Sequence, residues 1–289
     1  MKFAKYWESI ETKPDQDVFS FNPQTGEKLD PETTFTVWGA SNESPESAMQ
    51  RAKERLKKFE TMVQNGFTDK SDYEYGFIRE EVLDEILADD GTVIAALTRN
   101  NYGAIILNAV NVMFGDVDES EHGFFSRLFG KKKKDKDYYL AKIEQYQKEN
   151  PELAIIVYET FAGLRFVITN HTYDLENTHD RTEMLKLFAA LEVDPLYLRL
   201  CQQQGCFRAR LTPKPWRINT ERPPSRYPRS DRRDINDFED WLKDYEMAST
   251  SKTVVKVLKE FGSANTHPDV RKILEIHDRH ALKGLGELA

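Results

Sequence analysis

The hydrophobic pattern of this chain switches between helix-like and strand-like spacing along its length. After a polar first thirty residues with turn signals at Asn22-Pro23 and Asp30-Pro31, the β-branched and aromatic stretch 33–38 predicts a strand. Ser44-Pro45-Glu46 then reads as a helix start: a hydroxyl cap, a proline at the first helical position and an acid in the first turn. Ala48, Ala52, Leu56 and Phe59 recur at helical spacing and carry that helix to about residue 63. A second helix is predicted over 79–87, stopped by Asp90-Gly91. Apolar runs over 92–98 and 104–114 flank Arg99-Asn100-Asn101-Tyr102-Gly103 and predict a hairpin. The second run ends in Gly115-Asp116-Val117-Asp118, and a helix is expected over 137–148. A second hairpin, 153–160 and 164–169 around Phe161-Ala162-Gly163, precedes a helix over 179–191. Prolines 213, 215, 223, 224 and 228 predict a long packed loop over 205–231. The remainder reads as helices over about 236–245, 253–261 and 268–283.

This order predicts an α+β fold: an antiparallel sheet of two hairpins plus an N-terminal strand, with helices on one face in a βαββαβ-like arrangement, followed by a helical C-terminal part. The expected organisation is a core domain over 1–200, an Arg/Pro-rich packed loop over 201–235 and a helical extension over 236–289.

Composition narrows the class. The chain has 289 residues, 39% hydrophobic and 31% charged, enough for a substantial core. No apolar stretch approaches the roughly 18 to 20 residues of a membrane span, and the first residues lack a secretory pattern, so no membrane association and a cytoplasmic location are expected. Cys201 and Cys206 are too few for a disulfide framework and lack a second ligand pair for zinc, so they are expected to be buried thiols. Between Arg199 and Arg233, ten basic residues face only Glu221 and Asp231, giving this segment +8 within a net charge of −8 and leaving −16 elsewhere. Such asymmetry marks where a phosphate-bearing partner would sit, or where arginines pair with the chain's own carboxylates.

The candidate chemistry centres on Asp116 and Asp118. Residues two apart on a strand share a face, and a divalent cation, Mg2+ or Mn2+, relieves the repulsion between two such carboxylates. Gly115 would let a ligand approach the backbone. The alternative is an acidic turn at a strand end. Arg165, just beyond the second hairpin turn, is a candidate phosphate clamp or a solvent-facing strand arginine. His171 is a candidate acid, base or ligand, or else a capping histidine. In Cys206-Phe207-Arg208-Ala209-Arg210-Leu211-Thr212-Pro213-Lys214-Pro215-Trp216-Arg217, Arg208 and Arg210 would face one way, with Lys214, Trp216 and Arg217 adding charge and a stacking surface. The lysine run 131–134 reads as an exposed loop, and His277-Asp278 as a surface or helix-end feature. No phosphate-cradling Gly-rich Lys-Ser/Thr loop, nucleophile elbow or dinucleotide fingerprint is present.

Met113-Phe114-Gly115-Asp116-Val117-Asp118, with the element order over 92–200, resembles the archaeo-eukaryotic primase superfamily, whose first motif is an apolar strand ending in Asp-x-Asp or Asp-x-Glu. Thr160-Phe161-Ala162-Gly163-Leu164-Arg165 is similar to the turn around that family's second motif, with Phe166 where the family has a histidine; Asp174 and Asp194 are candidates for its third carboxylate. The resemblance implies metal-dependent nucleotidyl or phosphoryl transfer, with Asp116 and Asp118 as metal ligands. Arg165, Arg208, Arg210, Lys214 and Arg217 would hold nucleotide or nucleic-acid phosphates. The alternative is a non-catalytic module that binds nucleic acid or a protein partner through the basic loop 208–233.

Overall fold

A computed structural model of the chain describes residues 1–13, 34–64, 76–119, 134–229, 231–263, 265–283 and 286–289. The turn signals in the N-terminal lead-in and Lys131, Lys132 and Lys133 lie outside the described residues. The chain divides into two units, 2–79 and, with Met1, 80–289.

In the smaller unit, β1 (Tyr6–Thr12) pairs antiparallel with β2 (Phe35–Ser41), and α1 (Pro45–Gln64) packs on the pair. Ser44 caps α1 as expected, its Oγ accepting from Ser47 N at 3.1 Å. A side chain at Gly39 would collide with the α1 backbone at Ala48 and Ala52, so helix and strand touch directly.

The larger unit holds two four-stranded antiparallel sheets. The first has the order β3 (Glu81–Leu87), β4 (Val93–Arg99), β5 (Ile105–Ala109), β9 (Phe207–Arg210). The second has the order β11 (Val255–Phe261), β7 (Ile155–Thr160), β8 (Gly163–Ile168), β6 (Phe114–Asp118). The helices are α2 (Lys136–Glu149), α3 (Thr178–Leu191), α4 (Pro195–Gln204), α5 (Arg232–Ser249) and α6 (Pro268–Ala281), and β10 (Lys252–Thr253) pairs with β12 (Glu287–Leu288). Among the described residues no helix is long and apolar enough to cross a membrane.

The α+β class stands, with several differences in detail. Residues 79–87 do not form a helix; β3 is an edge strand paired with β4. Residues 253–261 are not a helix either. Val254, Val257, Leu258 and Phe261 fit helical spacing, but pairing with β7 makes this stretch the other sheet's edge. The run 104–114 is two strands, because the chain leaves the first sheet at Ala109 and enters the second at Phe114. The arginine segment supplies β9 and the C-terminal segment supplies β11, so both expected appendages complete the sheets.

Helices also cover both faces of the second sheet instead of one. Phe166 meets Phe188 of α3 at 6.2 Å between ring centroids, while Phe114 and Tyr158, on the opposite face, meet His277 of α6 at 5.2 and 5.0 Å. Sandwiched in this way, β8 is buried at every position and reads as a continuous apolar run broken only by Arg165.

Candidate functional site

The two sheets meet where β6 lies beside β9, and polar side chains close that seam. Tyr197 of α4 sits between the edges: its hydroxyl lies 2.8 Å from Phe114 O and 3.1 Å from Arg208 O, and it accepts from Arg208 N at 3.2 Å. Arg165 crosses the same seam from β8. Strand register sets it opposite Asp116, and the pair is bidentate, Nε to Oδ1 at 2.8 Å and Nη2 to Oδ2 at 3.2 Å. Its Nη1 donates to Arg210 O on β9 at 3.0 Å and contacts His277 Nε2 at 3.2 Å. Four of five guanidinium protons therefore have protein acceptors, and the residue is 2% exposed. Burial disfavours its charge, but the Asp116 carboxylate outweighs that and holds its pKa above the usual arginine value.

An arginine N–H can only donate, so His277 Nε2 accepts and Nδ1 carries the proton. That proton points to Asp278 Oδ1 at 2.8 Å, which also accepts from the Tyr158 hydroxyl at 3.0 Å. His277 is 0% exposed, and burial lowers its pKa despite the hydrogen bond it donates to Asp278. The expected surface role of His277-Asp278 is thus corrected for the histidine. Val270, Ile273, Leu274, His277 and Ala281 form the buried stripe of α6 at helical spacing, a signal already present in the sequence.

Beyond β9 the chain turns over the tops of both sheets. Thr212 Oγ1 accepts from Ile105 N at 2.8 Å and meets the Tyr245 hydroxyl at 2.8 Å, while that hydroxyl donates to Pro213 O at 2.6 Å. Trp241 Nε1 of α5 holds Glu221 O at 2.9 Å. Pinned at these points, the loop forms a 3-10 turn, Pro215–Arg217, between the two hairpin turns. Arg217 lies 4.2 Å over the Phe161 ring of the β7–β8 turn, and Trp216 packs edge-on against Tyr102 of the β4–β5 turn at 5.3 Å. Arg222 lies 5.0 Å and Lys214 5.6 Å over Trp216. Tyr102, Phe161 and Trp216 are 39%, 53% and 44% exposed.

Arg210, Lys214 and Arg217 form a cluster of cations in this loop. Arg210 donates to Thr212 O at 2.8 Å and Ala289 O at 3.4 Å; among the described residues, none of the three has an Asp or Glu side chain within ion-pair distance. Burial followed by repulsion from Arg165 and Arg217 brings the Arg210 pKa down to about 10. Burial, then Arg217 and Arg210, lowers that of Lys214; burial also lowers Arg217, against the pull of Asp118. Asp118 stands at the border of this cluster. Its carboxyl is raised above the usual range by desolvation and by Asp116, against the pull of Lys214. Gly163 allows this closeness: a side chain there would strike the backbone of Val117 and Asp118, and Glu119 N bonds Ala162 O at 2.8 Å.

The seam and loop thus bring together Asp116, Asp118, Arg165, Arg210, Lys214, Trp216 and Arg217. Arg208 points elsewhere, paired with Glu80 at 2.5 Å and Gln204 at 3.0 Å. His171 is exposed beyond the far end of β8, against Tyr173 at 4.7 Å. Asp174 shapes an exposed turn, accepting from Glu176 N at 2.8 Å. Asp194 is near enough to raise Asp118 but serves as the N-cap of α4. Gly115 makes room for the Phe166 ring, which a side chain there would strike, and not for a ligand. Lys134 pairs with Glu192 at 2.6 Å, and both cysteines are buried free thiols, as expected.

Of the pair expected to hold Mg2+ or Mn2+, Asp116 is engaged by Arg165 through both oxygens, and Asp118 stands at the border of the cations. Among the described residues no group of three His, Cys, Asp or Glu is gathered in a metal-binding arrangement. No family model, no curated protein and no solved structure matches this chain.

Proposed function

We propose that this protein binds single-stranded nucleic acid through the loop 210–222 and the two hairpin turns beside it. The observation that carries the reading is the Arg210, Lys214 and Arg217 cluster, partly desolvated, with no Asp or Glu within ion-pair distance among the described residues, and flanked by exposed Tyr102, Phe161 and Trp216. Gathering like charges out of water is unfavourable, and a phosphate-bearing ligand removes that cost. Exposed rings beside the cations supply stacking surfaces that accept any base. Asp116 and Arg165 act here as the seam that fixes the loop's base. A primase-like transfer activity draws less support, because Asp116 is already bound by Arg165 and, among the described residues, no group of three acids is gathered around the pair.

The test is fluorescence anisotropy of a labelled single-stranded oligonucleotide across a salt series. Log affinity is expected to fall linearly with log salt, by roughly 0.7 per phosphate contacted. Lys214→Glu combined with Arg217→Glu should weaken binding by about 100-fold or more, since like charges then face the phosphates. Asp118→Asn should not weaken it. Unchanged affinity in a folded double variant would overturn the proposal.

A further inference from the structure

Resting on that reading, we infer that the cluster takes a terminal phosphomonoester, so that the protein holds the phosphorylated end of a strand and not its interior. Three observations point this way. The first is convergence. Arg210 ends β9, Lys214 is the residue before the 3-10 turn and Arg217 is its last residue, so the cations gather around one turn. Arg210 and Lys214 are both close enough to Arg217 for its repulsion to register on them. An internal phosphodiester brings a single charge. A terminal phosphate brings about −1.5 to −2 at neutral pH, with three acceptor oxygens, and so answers a cluster of three cations more fully.

The second observation is the supply of donors. Among the described residues, the Arg210 hydrogen bonds leave through Nη1, while the charged ends of Lys214 and Arg217 lie over aromatic rings and have no hydrogen-bond acceptor. These are the groups a phosphate with three free oxygens can engage together.

The third is asymmetry. Asp118, with Asp116 and Asp194 close enough to act on it, forms an acidic border on the β6 side of the cations. A backbone continuing in that direction would bring its next phosphate against these carboxylates. Trp216, Tyr102 and Arg222 lie together on the hairpin of the first sheet and provide a stacking surface for the nucleotides that follow. A strand can leave toward the rings but not toward the acids, which suits an end.

Oligonucleotides of one sequence, bearing a 5′-phosphate, a 3′-phosphate or no terminal phosphate and labelled at the opposite end, distinguish the outcomes by anisotropy. One phosphorylated form is expected to bind at least about tenfold tighter than the hydroxyl-ended strand, a difference near 1.4 kcal/mol. Lys214→Gln with Arg217→Gln should abolish that preference, and a nucleoside monophosphate should compete where the nucleoside does not. Equal, salt-sensitive affinity for all three strands would overturn end recognition while leaving nucleic-acid binding intact. Absence of salt-sensitive binding to any of them would overturn both.

Discussion

The seam at Arg165 and the loop above it are both rich in arginine, yet they solve the problem of a buried charge in opposite ways. Arg165 is enclosed and has Asp116, Arg210 O and His277 around its guanidinium. Arg210, Lys214 and Arg217 are less enclosed and have no Asp or Glu within ion-pair distance among the described residues. The contrast recurs within β9. Arg208 and Arg210 share one face of the strand, but Arg208 pairs with Glu80 and its pKa is raised, whereas that of Arg210 is lowered to about 10. The type of residue is the same; the supply of carboxylate differs. Paired cations tie the sheets and strands together, and the cations without an Asp or Glu partner are those proposed to meet a phosphate-bearing ligand.

That division is most directly broken at Arg165. Arg165→Ala removes one partner of a buried pair and should cost about 3–5 kcal/mol of stability, read from urea unfolding. A loss below about 1 kcal/mol would show that the seam is not held by this contact.

The two β9 arginines sharpen the comparison. Arg208→Met strands Glu80 and should cost roughly 2–4 kcal/mol in the same assay, while leaving oligonucleotide affinity within about twofold. Arg210→Met removes a charge that, among the described residues, has no Asp or Glu within ion-pair distance, so stability should change by less than about 1 kcal/mol while affinity falls. The reverse outcome for the pair would refute the division of roles.

Trp216→Ala tests the stacking surface. A loss of about 1–3 kcal/mol in binding is expected if a base rests on this ring, with little change in the salt slope. A change confined to the slope would mean that the ring only supports Lys214 and Arg222.

The smallest expected effect concerns pH. His277 is held neutral in the folded chain and its pKa lies below the ordinary 6.5, so the unfolded chain takes up a proton first on acidification. The contribution is fully present above about pH 6.5 and is lost progressively as pH falls from there toward the lowered folded value. His277→Gln should flatten that part of the stability profile. An identical slope in the variant would place its origin elsewhere.

Much of the framework was legible along the chain, and the reasons are local. Ser44-Pro45 set the start of α1, the helix expected over 179–191 formed, and both hairpin turns fell where their residues pointed, whereas α4, capped by Asp194, was not among the expected elements. The acidic strand end and the basic loop were also visible, because charge and periodicity are properties of sequence. The errors at 79–87 and 253–261 share one cause. Both are edge strands with mixed exposure, whose apolar spacing also fits a helix, and only the neighbouring strand decides between the two.

The sequence by itself determined which residues bear charge, where helices start and which runs are apolar. Only the tertiary structure decided which charges meet. Asp116 is joined to Arg165, 49 positions away, by register between β6 and β8, and Arg208 to Glu80, 128 positions away, by an ion pair that no local pattern encodes. Pairing energy depends on distance and desolvation, which the fold sets and the order of residues does not.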